Sequence, residues 1–194
     1  MIKKNYEGAS MNSEEELFDA AIIRLRQMYL EEKVNANPNF VLFENNICRI
    51  ERMGFLEETF FMSFPDCFSE ITIDTSGDEF CQEGAVPFAV VRASSGNMSA
   101  SFYEVESCSK ESAVNSFIRL FPENTLDNNG VYKAKNCQVN WFDYRKTSGP
   151  VLSYTFVFSF FIRDSLIIGQ MSCHLKEYEQ CRKLMKRLLG TLEI

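Results

Sequence analysis

Apolar residues alternate with polar ones along much of this chain, and in three places they recur at helical spacing instead. Leu17, Ala21, Ile22, Leu25, Met28 and Tyr29 share one helical face. Ser13-Glu14-Glu15-Glu16 reads as a capping box that starts this helix, and Asn35-Ala36-Asn37-Pro38 ends it. Val114, Phe117, Ile118 and Phe121 form a second stripe, closed by Pro122. Tyr178, Cys181, Leu184, Met185, Leu188 and Leu189 form a third, with Gly190 as a C-cap.

Between the helical stripes the period is that of strands. Phe40–Glu44 and Ile47–Arg52 flank Asn45-Asn46, and Phe55–Pro65 and Ile71–Asp74 follow. Val86–Arg92 and Met98–Val105 flank a small polar turn at Ala93–Asn97. Asp127-Asn128-Asn129-Gly130 reads as a turn, and Tyr132–Tyr144 as one strand with Cys137, Val139 and Trp141 on a common face. The most apolar stretch, Tyr154–His174, places Arg163-Asp164 as a two-residue turn. Phe160 then faces Ile167, Phe158 faces Gly169, Phe156 faces Met171 and Tyr154 faces Cys173. That register puts nearly all the bulk on one side, which is what fixes strand pairing in a half-buried sheet. Gly169 leaves room for the Phe158 ring. From Val151 to Ile162 only 12 residues precede the charged pair, where a spanning helix needs about 20, so no membrane span is expected.

The order of these elements predicts an α+β fold: an α/β/α sandwich with a central, largely antiparallel sheet flanked by N-terminal, middle and C-terminal helices. The 194 residues suit one domain over 13–194, after a loose segment 1–12, with the 13–34 helix as an addition to the core.

Charge and cysteine usage narrow the function. The net charge of −7 disfavours binding to a phosphate backbone, so no nucleic-acid partner is expected. Seven cysteines, an odd number with no C-x-x-C pair, read as reduced thiols. Residues 1–21 carry no apolar core of a secretory signal, so a cytoplasmic protein is expected.

His174 is the single histidine, so any His-based centre must use it. Cys173 and Glu177 are close in sequence, but neighbours in a strand point to opposite faces. A strand-to-helix junction is the better reading of His174. Cys108 and Cys173 precede helices without a recognisable partner set, and Glu57-Glu58 in a strand would diverge. The acidic loop Thr75–Gly84, with Asp78 and Glu79, lacks the oxygen spacing of a calcium loop. No phosphate-binding or nucleophile-elbow motif occurs. No catalytic residue, cofactor or metal site is predicted. Lys176, Arg182, Lys183, Lys186 and Arg187 make the last helix basic and read as its wet side.

The segments FFMSFP, Ala93-Ser94-Ser95-Gly96, ESAVNSFIRLF and YTFVFSFFIRDSLIIGQMSCHLKEYEQCRKLMKRLLGTLEI resemble the PsbP-like and DcrB-like superfamily over roughly Phe40 to Ile194. The resemblance implies an α/β/α sandwich and a non-enzymatic role, as assembly subunit, adaptor or chaperone. The expected function is therefore a cytosolic bacterial interaction module whose partner is another protein, docking on a sheet edge or on the mixed face of the last hairpin. The alternative is a small-ligand binder with Trp141, Phe142, Tyr144 and Tyr154 lining an aromatic cleft. A Cys/His enzyme comes third.

Overall fold

A computed structural model describes residues 11–73, 86–106, 125–146 and 152–194. The second predicted helix, the Thr75–Gly84 loop with Asp78 and Glu79, Cys108 and the turn at 147–150 lie outside these residues. The chain divides into two compact units, Met1–Arg49 and Ile50–Ile194.

In the first unit α1 spans Met11–Asn35, starting before the proposed Ser13 cap. Strand β1 (Phe40–Phe43) follows, and Asn46–Arg49 of β2 (Asn46–Phe55) pair back on it, Phe40 opposite Arg49 and Phe43 opposite Asn46. Glu44 and Asn45 between them take positive φ. The helix packs on β1, and its Val34 is buried. Its broad apolar face is the predicted stripe.

In the second unit the rest of β2 pairs with β3 (Phe60–Pro65). The predicted strand Phe55–Pro65 is therefore interrupted. Leu56, Glu57 and Glu58 all take positive φ, between 49° and 62°, and reverse the chain. The Thr59 amide and hydroxyl both donate to the Leu56 carbonyl and close this left-handed turn. Phe55 and Phe60 on either side are buried and stacked, 5.2 Å between centroids, so core packing offsets the turn's conformational cost.

Seven further strands form an antiparallel sheet: β4 (Phe68–Ile71), β5 (Ala89–Ala93), β6 (Met98–Glu106), β7 (Thr125–Lys133), β8 (Gln138–Lys146), β9 (Ser153–Ile162) and β10 (Ser165–His174). Their order is β4-β5-β6-β10-β9-β8-β7. The chain climbs three strands from one edge, crosses to the other, and returns by a meander that ends between β9 and β6. The β9–β10 register is the predicted one at every position, with Phe158 opposite Gly169. A Cβ at Gly169 would lie 2.1 Å from Phe158 Cζ, so the glycine does make room for the ring.

Two predicted features change. Asp127–Gly130 is not a turn but part of β7, where a bulge between Leu126 and Asn128 shifts the register and Gly130 lies under Trp141. A polar, bulged strand is what a sheet edge tolerates. The proposed strand Tyr132–Tyr144 is two strands joined at Ala134–Cys137, whose amide and carbonyl close the turn. Of the predicted strand Ile71–Asp74, Ile71 ends β4, which starts at Phe68, and Asp74 lies outside the described residues.

One sheet face is aromatic. Phe102 of β6 meets Phe55, Phe60 and Phe64, and Phe60 meets Phe160 at 5.2 Å. Helix α2 (Tyr178–Leu189) covers the rest of that face through Cys181, Leu184, Met185, Leu188 and Leu189, all buried. A 3-10 turn, Leu175–Glu177, joins it to β10, and His174 is the junction. The C-terminal tail then pairs with β3: the Phe61 and Glu193 amides donate to each other's carbonyls at 2.8 and 3.0 Å.

Candidate functional site

Strand alternation divides the four candidate aromatics between two sheet faces. Trp141 stacks on Phe156 on the α2 side, with rings 5.2 Å apart and nearly parallel, and Lys186 Nζ of α2 lies 5.0 Å over it. Tyr154 shares that side but is buried beneath α2. Phe142 and Tyr144 lie together on the opposite face, 6.3 Å apart. The structure brings the four together in pairs, not around one cleft.

The residue missed by sequence reasoning is Asp143. It continues the buried face of Val139 and Trp141, and it is wholly inaccessible. The Tyr154 hydroxyl donates to its Oδ2 at 2.8 Å and the Asn128 amide donates to its Oδ1 at 3.1 Å. Arg182 Nε of α2 lies 3.1 Å from Oδ2, but it makes no hydrogen bond, so the pairing is one of charge without a directed N–H bond. Burial and the neighbouring carboxylate push the Tyr154 phenol far above its ordinary value. Beside this group Arg145 grips Asp127 with two N–H donors, both at 2.6 Å. The sequence did hold a signal: an acid that continues the face of Val139 and Trp141 along the strand.

The Cys/His pairing does not form. Cys173 is buried, where Cys181 is its hydrogen-bonding neighbour, and the Cys181 thiol is pushed well up by that contact and by burial. His174 is exposed at the strand end. A thiol held neutral in a core is a poor nucleophile.

The mixed face of the last hairpin is partly buried. Thr155, Val157, Leu166 and Gln170 are buried. Thr155 and Ser172 hydroxyls lie 3.1 Å apart, and Gln170 donates to the Tyr103 hydroxyl at 3.1 Å. These polar groups of the expected docking face are satisfied internally, while Ser159, Phe161, Ile168 and Ser172 on the same face stay partly exposed. A cleft of about 300 Å³ opens at the sheet end, between the strained Leu56–Thr59 turn and the Arg163 turn, with Glu57, Glu104 and Arg163 at its rim.

The exposed surface that stands out is α1. Leu17, Phe18, Ile22, Leu25, Met28 and Tyr29 are 50–71% accessible, on a helix whose opposite side meets β1. At 100° per residue they form a stripe about 140° wide.

The overall arrangement of these elements superposes on a known fold. The solution structure of cyanobacterial PsbP (CyanoP) from Synechocystis sp. PCC 6803 superposes with a TM-score of 0.58 over 81% of this chain and 99% of that one, at 10% identity. The fold is PsbP-like. Two further solved structures overlap less closely. LpqN, involved in cell envelope biogenesis of Mycobacterium tuberculosis, has a TM-score of 0.46 at 7% identity, over 80% of this chain and 98% of its own. PA94, a protein of unknown function from Pseudomonas aeruginosa, has 0.44 at 9% identity, over 75% and 96%. No family model and no curated protein matches the sequence. The PsbP-like fold expected from the sequence is thus present, and at this identity it speaks for architecture alone. Among the described residues no helix is long and apolar enough to cross a membrane.

Proposed function

We propose that this PsbP-like protein is a non-enzymatic interaction module whose partner is another protein, and that it works as an adaptor or chaperone. The observation that carries this reading is the broad apolar stripe of α1, left in water by a helix that has a second face for its own unit. Large contiguous apolar patches on a soluble surface mark interaction sites. An amphipathic helix with anchors at i, i+3, i+4 and i+7 is a recurrent recognition element. The separation of Cys173 from His174 and the internal satisfaction of Asp143 support a role without catalysis. The reading keeps the cytoplasmic location expected from the sequence.

The test is affinity purification of the full chain from its native cell, beside the Leu25→Asp variant. A stoichiometric partner retained by the parent and lost by the variant, with unchanged melting temperature, is expected. Retention of the same proteins by both would sink the reading.

Small-ligand binding is a second reading. The cleft beside the Leu56–Thr59 turn favours it, because its volume reaches the lower end of ligand pockets. A thermal-shift screen tests it: a hit abolished by Arg163→Ala is expected, and no hit contradicts it.

A further inference from the structure

The aromatic face of the seven-stranded sheet runs into the cleft beside the Leu56–Thr59 turn. Strand pairing puts Ile162, Ser165, Ile167 and Glu104 on the face that carries Phe102 and Phe160. Ser165 stands opposite Ile162, and Ile167 stands between Phe160 on β9 and Glu104 on β6. Phe60 of β3 lies over the middle of this face, against Phe102 and Phe160. Tyr178 and Cys181 of α2 lie over its opposite end, at Tyr154 and Cys173. Beyond Phe160 the face meets the cleft of about 300 Å³, with the Leu56–Thr59 turn as the other wall.

The lining has two parts. Buried Ile162 and Ile167, with half-buried Leu56, make an apolar floor. Glu57, Glu104 and Arg163 are exposed around it. Among the described residues none of these three charges has a hydrogen-bond or ion-pair partner, although both signs line one cleft. The two turns that carry Glu57 and Arg163 each hold their charged residue at a φ of 53°, and the Thr59 amide and hydroxyl close the first of them. The rim is therefore formed before a ligand arrives, as in most small-molecule sites.

These charges select the ligand. Arg163 opposes a bare cation, and two carboxylates oppose an anion. A wholly apolar molecule would take water from all three charges and give nothing back. A molecule with an apolar body and both charge signs at one end meets every group. We infer that the cleft binds a free α-amino acid with an aliphatic side chain. Its ammonium group sits against Glu57 and Glu104, its carboxylate accepts from the Arg163 guanidinium fork, and its side chain lies on Ile162 and Ile167. This rests on the ligand-binding reading and names the ligand class. The volume, at the lower end of ligand pockets, suits a molecule of that size.

Calorimetric titration of the full chain with four probes tests this. L-Leucine carries all three features. L-Leucinamide lacks the carboxylate, N-acetyl-L-leucine lacks the ammonium group, and glycine lacks the apolar body. L-Leucine is expected to bind at least about tenfold more tightly than each of the others, the scale of one lost charge-assisted hydrogen bond or one lost apolar contact set. Arg163→Gln should erase the preference over leucinamide alone. The Glu57→Gln, Glu104→Gln double variant should erase the preference over acetylleucine alone. All three side chains are exposed, so these variants keep the fold. Equal or tighter binding of leucinamide, acetylleucine or glycine by the parent chain would overturn the inference and leave the ligand-binding reading standing. Preferences unchanged in the variants would overturn the assignment to this cleft. Binding of none of the four would also overturn it, and the thermal-shift screen then separates the two readings. A hit abolished by Arg163→Ala keeps ligand binding, and no hit removes both.

Discussion

Asp143 has no water to turn to, so Tyr154 and Asn128 supply its hydrogen bonds and Arg182 its counter-charge. Tyr154→Phe removes one donor from a buried carboxylate and should cost about 2 kcal/mol in urea unfolding, as hydrogen bonds to charged groups do. An unchanged midpoint would show that Asp143 is held by other means. The same residue gives a pH dependence. The folded-state values of Tyr154 and Cys181 are raised above ordinary values near 10 and 9. Their contribution is complete below those values. It is lost as pH rises, because the unfolded chain then releases protons that the folded chain keeps. Stability should fall from about pH 9 upward, and a Tyr154→Phe, Cys181→Ala double variant should flatten that limb in pH-dependent melts. Gly169 is a packing constraint. Gly169→Ala drives a methyl into the Phe158 ring and should cost at least about 3 kcal/mol, the upper range for overpacking, with partial rescue by Phe158→Leu. Equal stabilities of Gly169→Ala with and without Phe158→Leu would contradict this.

The elements differ in how plainly the sequence announces them, for physical reasons. The β9–β10 hairpin was legible to the residue because a slip of one position would turn Phe156, Phe158 and Phe160 to the wrong face. Helix α2 was legible because its apolar stripe matches its buried residues. Strand β7 was not, because Asp, Asn and Gly favour turns, and only a bulge and the overlying Trp141 let them run as an edge strand. The Leu56–Thr59 turn was hidden because Leu and Glu carry no turn signal, and the stacked Phe55 and Phe60 impose it. The α1 face was read correctly, yet spacing says which residues share a face and not what covers it. Helices α1 and α2 should therefore respond in opposite ways to the same change. Leu188→Ala should destabilise by about 2–5 kcal/mol, as core truncations do. Leu25→Ala should shift stability by less than about 0.5 kcal/mol, as surface changes do. Similar losses in chemical denaturation would mean that α1 is packed and not waiting for a partner.

At the scale of the molecule, the second unit holds an aromatic core and a C-terminal tail paired with β3, and in the first unit the broad apolar face of α1 is exposed. The candidate site was only partly legible. Trp141 and Tyr154 do belong to the α2 face, but alternation sends Phe142 and Tyr144 to the other. Asp143 could be found only by asking why an acid stands in a buried register. The central claim, that α1 recruits a different protein, meets its most direct test in native mass spectrometry of the chain captured from its own cell. A heteromeric complex is predicted, heavier than the 22.4 kDa chain by the mass of another protein and reduced to that chain alone by Leu25→Asp. The bare chain in both samples, or an assembly containing only copies of it, would contradict the account.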